Sequence, residues 1–154
     1  NYYLLSNGLD KVILYTAAIS DLFECYVSPT GVDSPNGGTI EQPFRTIQYG
    51  IGLVADGGTV YVRGGTYNEH ITFLGKSISV IGCENESVVI DGSDTLSDYA
   101  VVRFHGSPEA LLRNVTVTRG YSLNYGGGIV CDGNVVIKNA RSQITSVFLA
   151  EVGH

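Results

Sequence analysis

The chain has no methionine and no tryptophan, only four prolines and three cysteines, and charged residues fill just 16% of its 154 positions. Each shortage narrows the field. Nine Lys and Arg stand against fifteen Asp and Glu, for a net charge of −6, and the basic residues are scattered. No cationic patch exists to neutralise a run of phosphates, which argues against nucleic acid as a partner. The apolar stretch V-I-L-Y-T-A-A-I at 12–19 is too short to span a bilayer, so no membrane span is expected. Following Lys11, it has about the length of a signal-peptide core, but it reads first as a strand or short helix covering a core edge. With Asn at position 1, a processed product or a fragment is expected. Cys25, Cys83 and Cys131 follow neither C-x-x-C nor metal-ligand spacing. Cys83 and Cys131 read as small apolar fillers.

What the chain has in excess is glycine, 20 residues without a Gly-x-y period. With so little charge, that suits an all-β chain with many tight turns. A Gly/Pro/Asp/Asn-rich loop fills 28–43. Phe44, Ile47, Ile51 and Val54 then recur at helical steps, predicting a short helix just after Pro43, weakened by Gly50 and Gly52 and ended by Asp56-Gly57-Gly58. From Thr59 the period changes to two: Val60/Val62, Ile71/Phe73, Ile78/Val80 and Val88/Ile90. These strands are short, glycine-bounded and without crossover helices, which excludes the doubly wound α/β folds.

The segments 76–82 (K-S-I-S-V-I-G), 113–120 (R-N-V-T-V-T-R-G) and 133–139 (G-N-V-V-I-K-N) can be superposed, with Ile78/Val80, Val115/Val117 and Val135/Ile137 inward. Each is preceded by a matching short strand: 71–73 (I-T-F), 102–104 (V-R-F) and 129–131 (I-V-C). The later two units lie about 20 to 26 residues apart, the first gap is longer by an insertion around Ser93–Tyr99, and a period of that size built from strands is a solenoid signal. One coil cannot bury its own interior; stacked coils give each inward residue a neighbour above and below. On this register Ser77, Asn114 and Asn134 share a corner, where stacked polar side chains satisfy one another, and Gly126–Gly128 form a bend into the next inward strand. The expected organisation is a lead segment over 1–25, a signal or linker remnant, and a capped solenoid over 26–154 that is cut short at its C-terminal end.

The run from Tyr26 to Ile71, with P-F-R-T-I-Q at 43–48 and G-G-T-Y-N-E-H-I at 64–71, resembles the opening of secreted pectin-lyase-like proteins. The similarity continues through V-V-I-D-G and G-G-G-I, over roughly 26–140, and the last of these also resembles repeats of bacterial surface and autotransporter passenger proteins. The resemblance implies a right-handed parallel β-helix, all-β, with a short N-terminal capping helix, secreted or held at the cell surface. Family enzymes cleave acidic polysaccharides by calcium-assisted β-elimination or by hydrolysis with paired carboxylates. No catalytic motif of that kind can be carried onto this chain.

The residues themselves offer weak candidates. Asp91, Asp94 and Asp98, near Arg103 and Arg119, could gather on one loop around calcium, or form a solvated acidic turn. His70, His105 and His154 have no partner at ligand spacing. Tyr61, Tyr99, Tyr121 and Tyr125 could present rings on an outer face, suited to a sugar or a protein partner. The sequence alone therefore favours a noncatalytic extracellular module that binds polysaccharide or a surface protein. The alternatives are the N-terminal part of a polysaccharide lyase or glycosidase, and a structural spacer of a large surface protein.

Overall fold

The computed structural model describes residues 2–6, 12–16, 22–94, 99–121, 126–142 and 148–149. Tyr2–Ser6 (β1) and Val12–Thr16 (β2), the second taken from the apolar stretch, pair antiparallel in a sheet of their own. All other described strands pair in parallel. Leu22–Val27 (β3) leads through the 28–43 loop to a helix, Ile47–Leu53 (α1). Thereafter the chain visits three sheets in rotation. The first coil is Val54–Val62 (β4), Gly65–Asn68 (β5) and Ile71–Thr72 (β6). The second is Ser79–Gly82 (β7), Val88–Asp91 (β8) and Val102–Phe104 (β9). The third is Ala110–Arg113 (β10), Thr116–Thr118 (β11) and Ile129–Cys131 (β12). Val135–Lys138 (β13), Arg141–Ser142 (β14) and Phe148–Leu149 (β15) follow. The sheets run β13-β10-β7-β4-β3, β14-β11-β8-β5 and β15-β12-β9-β6. This is the expected right-handed parallel β-helix with its short capping helix.

The core is a set of stacks along the solenoid axis. Cys25, Val60, Val80 and Leu112 lie in one column, and Tyr67, Ile90 and Val117 in a second. Ile71, Val102 and Ile129 form a third. All are buried. At about 1.5–3 kcal/mol for each fully buried large apolar side chain, these columns are the main stabilising element. Phe73 and Phe104 extend the third sheet's column, their ring centroids 4.1 Å apart.

The strands 71–73, 102–104 and 129–131 stack as their sequences imply, Ile71 beside Val102 beside Ile129. Segments 76–82 and 133–139 also correspond, since Val80 and Ile137 both pair with Leu112. The middle segment does not. Thr116–Thr118 lies in the second sheet against Val89–Asp91, and the true counterpart of β7 and β13 is Ala110–Arg113. The error has a simple cause: alternation of period two looks the same in every sheet of a coil. What separates the sheets is the corner, where Asn114 adopts a left-handed backbone (φ 57°). That residue resets the inward phase from Ala110/Leu112 to Val115/Val117. Asn114 consequently stacks with Asn139 (φ 49°), not Asn134. Asn139 Nδ2 donates to Asn114 Oδ1 at 3.3 Å, and Asn114 Nδ2 donates to the Gly82 carbonyl at 3.2 Å.

Gly127 and Gly128 form the bend ahead of β12, as expected, although neither has a positive φ. The requirement is space. A Cβ on Gly120 would lie 1.8 Å from the Gly127 carbonyl oxygen, and one on Gly127 would lie 2.5 Å from that of Gly120.

The P-F-R-T-I-Q segment builds the cap. Phe44 is fully buried and bridges Val27. The Thr46 hydroxyl accepts from the Tyr49 N–H at the N-cap, and Asp33 accepts from the Arg45 and Thr46 N–H groups and the Thr46 hydroxyl. Gln48 exchanges hydrogen bonds with the Thr72 backbone, at 2.7 and 3.2 Å.

Candidate functional site

The connection from the second sheet to the third is the one whose length varies most between coils. It is two residues in the first coil, residues 69–70, but spans 92–101 in the second and 119–128 in the third. The third sheet beside these turns carries an outward row of Thr72, Arg103 and Val130. Tyr99 is 58% exposed, and the Arg103 guanidinium carbon lies 5.0 Å from its ring centroid, a cation–π contact. Tyr121, 67% exposed, occupies the next turn along. Tyr61 is elsewhere, on β4 in the first sheet, stacked on Tyr26 at 5.2 Å between centroids. Tyr125 lies outside the described residues.

Beneath the same turns, Asp91 is 1% exposed at the end of β8. Arg119 Nε donates to its Oδ1 at 2.9 Å and Arg119 Nη2 donates to Oδ2, a bidentate pair; the Ser93 N–H adds a bond to Oδ1 at 3.0 Å. The His70 ring lies 3.2 Å from both the Gly92 and Ala100 carbonyls. Asp94 closes a short 3-10 turn, Gly92–Asp94, and Asp98 lies outside the described residues. Both Asp91 oxygens are thus engaged by the Arg119 guanidinium. Among the described residues no three His, Cys, Asp or Glu side chains group as metal ligands.

The remaining reactive side chains hold turns or fill the core. His105 Nδ1 bonds Asp132 Oδ2, while the Gly106 N–H donates to Asp132 Oδ1 at 2.8 Å. Slight desolvation works upward on the Asp132 carboxyl, but the Gly106 and His105 hydrogen bonds and the His105 charge together hold it below the ordinary carboxylate range. His154 lies outside the described residues. The three cysteines are free thiols. Burial pushes Cys25 up to about 12 and Cys131 up to about 11, and Cys83 is raised too, so none is a ready thiolate.

Over 78 residues the chain is 40% identical to the pectate lyase PEL9 of Emericella nidulans, covering 46% of this chain and 19% of that protein. The fold is a right-handed parallel β-helix related to pectate-lyase-like proteins. The chain is also 37% identical over 100 residues to the uncharacterized protein YwoF of Bacillus subtilis, covering 60% of this chain and 21% of that one. It thus spans about a fifth of the length of each relative. No family model matches it, and no solved structure does. No helix among the described residues is long and apolar enough to cross a membrane.

Chemically, the third-sheet edge of this β-helix offers a guanidinium beside an exposed aromatic face. That combination suits stacking on a sugar ring and contacting its carboxylate. Sequence reasoning found Tyr99, Tyr121, Asp91, Arg103 and Arg119 but not their pairing. It also passed over Arg113 and Arg141, which carry no distinctive spacing.

Proposed function

We propose that this chain forms the N-terminal, capped coils of an extracellular polysaccharide lyase or glycosidase acting on acidic polysaccharide. The observation that supports this most is its 40% identity over 78 residues to a pectate lyase. In this reading the coils seen here supply the protected end of the solenoid and one edge of a sugar-binding face, at Tyr99 and Arg103. Further coils of the whole protein supply the proton-abstracting base or carboxylate pair.

A second reading, a noncatalytic module that binds polysaccharide or a surface protein, draws on the exposed Tyr99 and Tyr121 rings. Both are on the same turn-bearing edge. The two readings separate in one assay. The full-length protein containing this sequence is incubated with polygalacturonate, with and without calcium, while unsaturated ends and reducing ends are followed. Unsaturated ends identify β-elimination, and reducing ends alone identify hydrolysis. Retention on polygalacturonate without turnover establishes the binding module, and neither turnover nor retention overturns both.

A further inference from the structure

A cleft of about 490 Å³ opens at a different place, the corner between the first and second sheets. That volume falls within the range of small-ligand sites, roughly 300–1,000 Å³. It forms because this corner is long in the second coil, residues 83–87, and only Asn114-Val115 and Asn139-Ala140 in the coils that follow. The long turn projects as a ledge over the short ones. Arg113 and Arg141 line the cleft with Asn139 and Thr116 below the ledge.

The charges are unequally committed. Glu86, on the ledge, has Oε2 bonded by the Gly64 N–H and Oε1 3.6 Å from Arg63 Nε, so its charge is answered from outside. Arg113 and Arg141 have no ion-pair partner among the described residues. Arg113 Nε is enclosed without any hydrogen bond, an unusual state for a buried donor. Glu84 is the remaining acid at the mouth, exposed. It disfavours a dense polyanion such as phosphate while accepting a bond from a neutral hydroxyl. Two guanidiniums without a carboxylate partner, amide and hydroxyl groups, and one acid at the rim together match a ring with several hydroxyls and one carboxylate.

We propose that this cleft is a uronate-binding site, remote from the third-sheet edge, in which Arg113 and Arg141 hold the sugar carboxylate and Asn139, Thr116 and Glu84 take its hydroxyls. It rests on the reading that the protein meets acidic polysaccharide, but it requires no catalysis. The test is calorimetric binding of the full-length protein to an oligogalacturonate, its fully methyl-esterified form and inorganic phosphate. Wild type, Arg113→Lys, Arg141→Ala and Arg103→Ala are compared, each checked for an unchanged circular dichroism spectrum. The expected result is oligogalacturonate binding weakened about tenfold or more by Arg113→Lys or Arg141→Ala. The methyl ester should be weakened similarly, and phosphate should not compete. Arg103→Ala should leave one binding event intact. Binding that ignores both cleft substitutions and responds only to Arg103→Ala overturns the cleft site while leaving the proposed function standing. Phosphate competing equally overturns the sugar assignment. Turnover failing while the cleft binds overturns the enzyme reading alone.

Discussion

At the scale of single residues, glycine carries two distinct messages here that composition cannot separate. Gly120 and Gly127 are required because two backbone turns pass within contact of each other. Gly52, in α1, has open space where a Cβ would stand, with nothing within 4 Å, and no positive φ. Gly120→Ala should therefore destabilise the protein by about 3 kcal/mol or more, since no flexible side chain can yield. Gly52→Ala should stabilise it by about 0.5–1 kcal/mol through helix propensity. Urea denaturation of the two variants checks both signs, and a neutral Gly120→Ala would contradict the close approach. The triplet at 126–128 was legible as a bend, but the reason for it was not. The partner, Gly120, lies beyond the intervening turn in sequence and meets Gly127 only once the coil closes.

At the scale of elements, the seven-residue helix is too short to stand alone, and two glycines weaken it further. The solenoid holds it at both ends. The Glu69 carboxylate accepts from the Ile47 and Gln48 N–H groups at 2.8 and 3.0 Å. Lys76 Nζ donates to the Ile51, Gly52 and Val54 carbonyls at 2.8 to 3.0 Å. Charges of these signs at these ends oppose the helix dipole. Lys76→Ala should cost about 1.5–3 kcal/mol, the range for hydrogen bonds to a charged group, and Lys76→Met should cost nearly as much because it keeps the stem without the donors. Thermal unfolding of both variants tests this: a Met variant as stable as wild type would assign the effect to packing. The helix itself was legible from Phe44, Ile47, Ile51 and Val54, all buried as their spacing implies. Its clamps were not, because Glu69 and Lys76 sit well downstream of the helix and mark no helical period. The candidate site shows the same limit. Asp91 and Arg119 were both in view, but their pairing across 28 residues depends on coils stacking in the correct register.

At the scale of the whole molecule, stability in a solenoid is distributed along its axis, because each coil contacts only its neighbours. β7 is paired on both sides, by β4 and β10, whereas β13 pairs with β10 alone among the described residues. The side chains follow: Val80 and Leu112 are fully buried, while Ile137, in register with both, is 38% exposed. Amide exchange measured on the 154-residue chain should therefore be slowest in β7 and β10 and fastest in β13, in a graded order rather than a single step. The α1 amides should exchange at a rate close to those of β4, since Lys76, Gln48 and Glu69 tie the helix to the first coil. Loss of that coupling in Lys76→Ala, with β10 protection unchanged, would place the cap and the later coils in separate cooperative units. Uniform protection from β4 through β13 would instead mean that the stacked coils already unfold as one body.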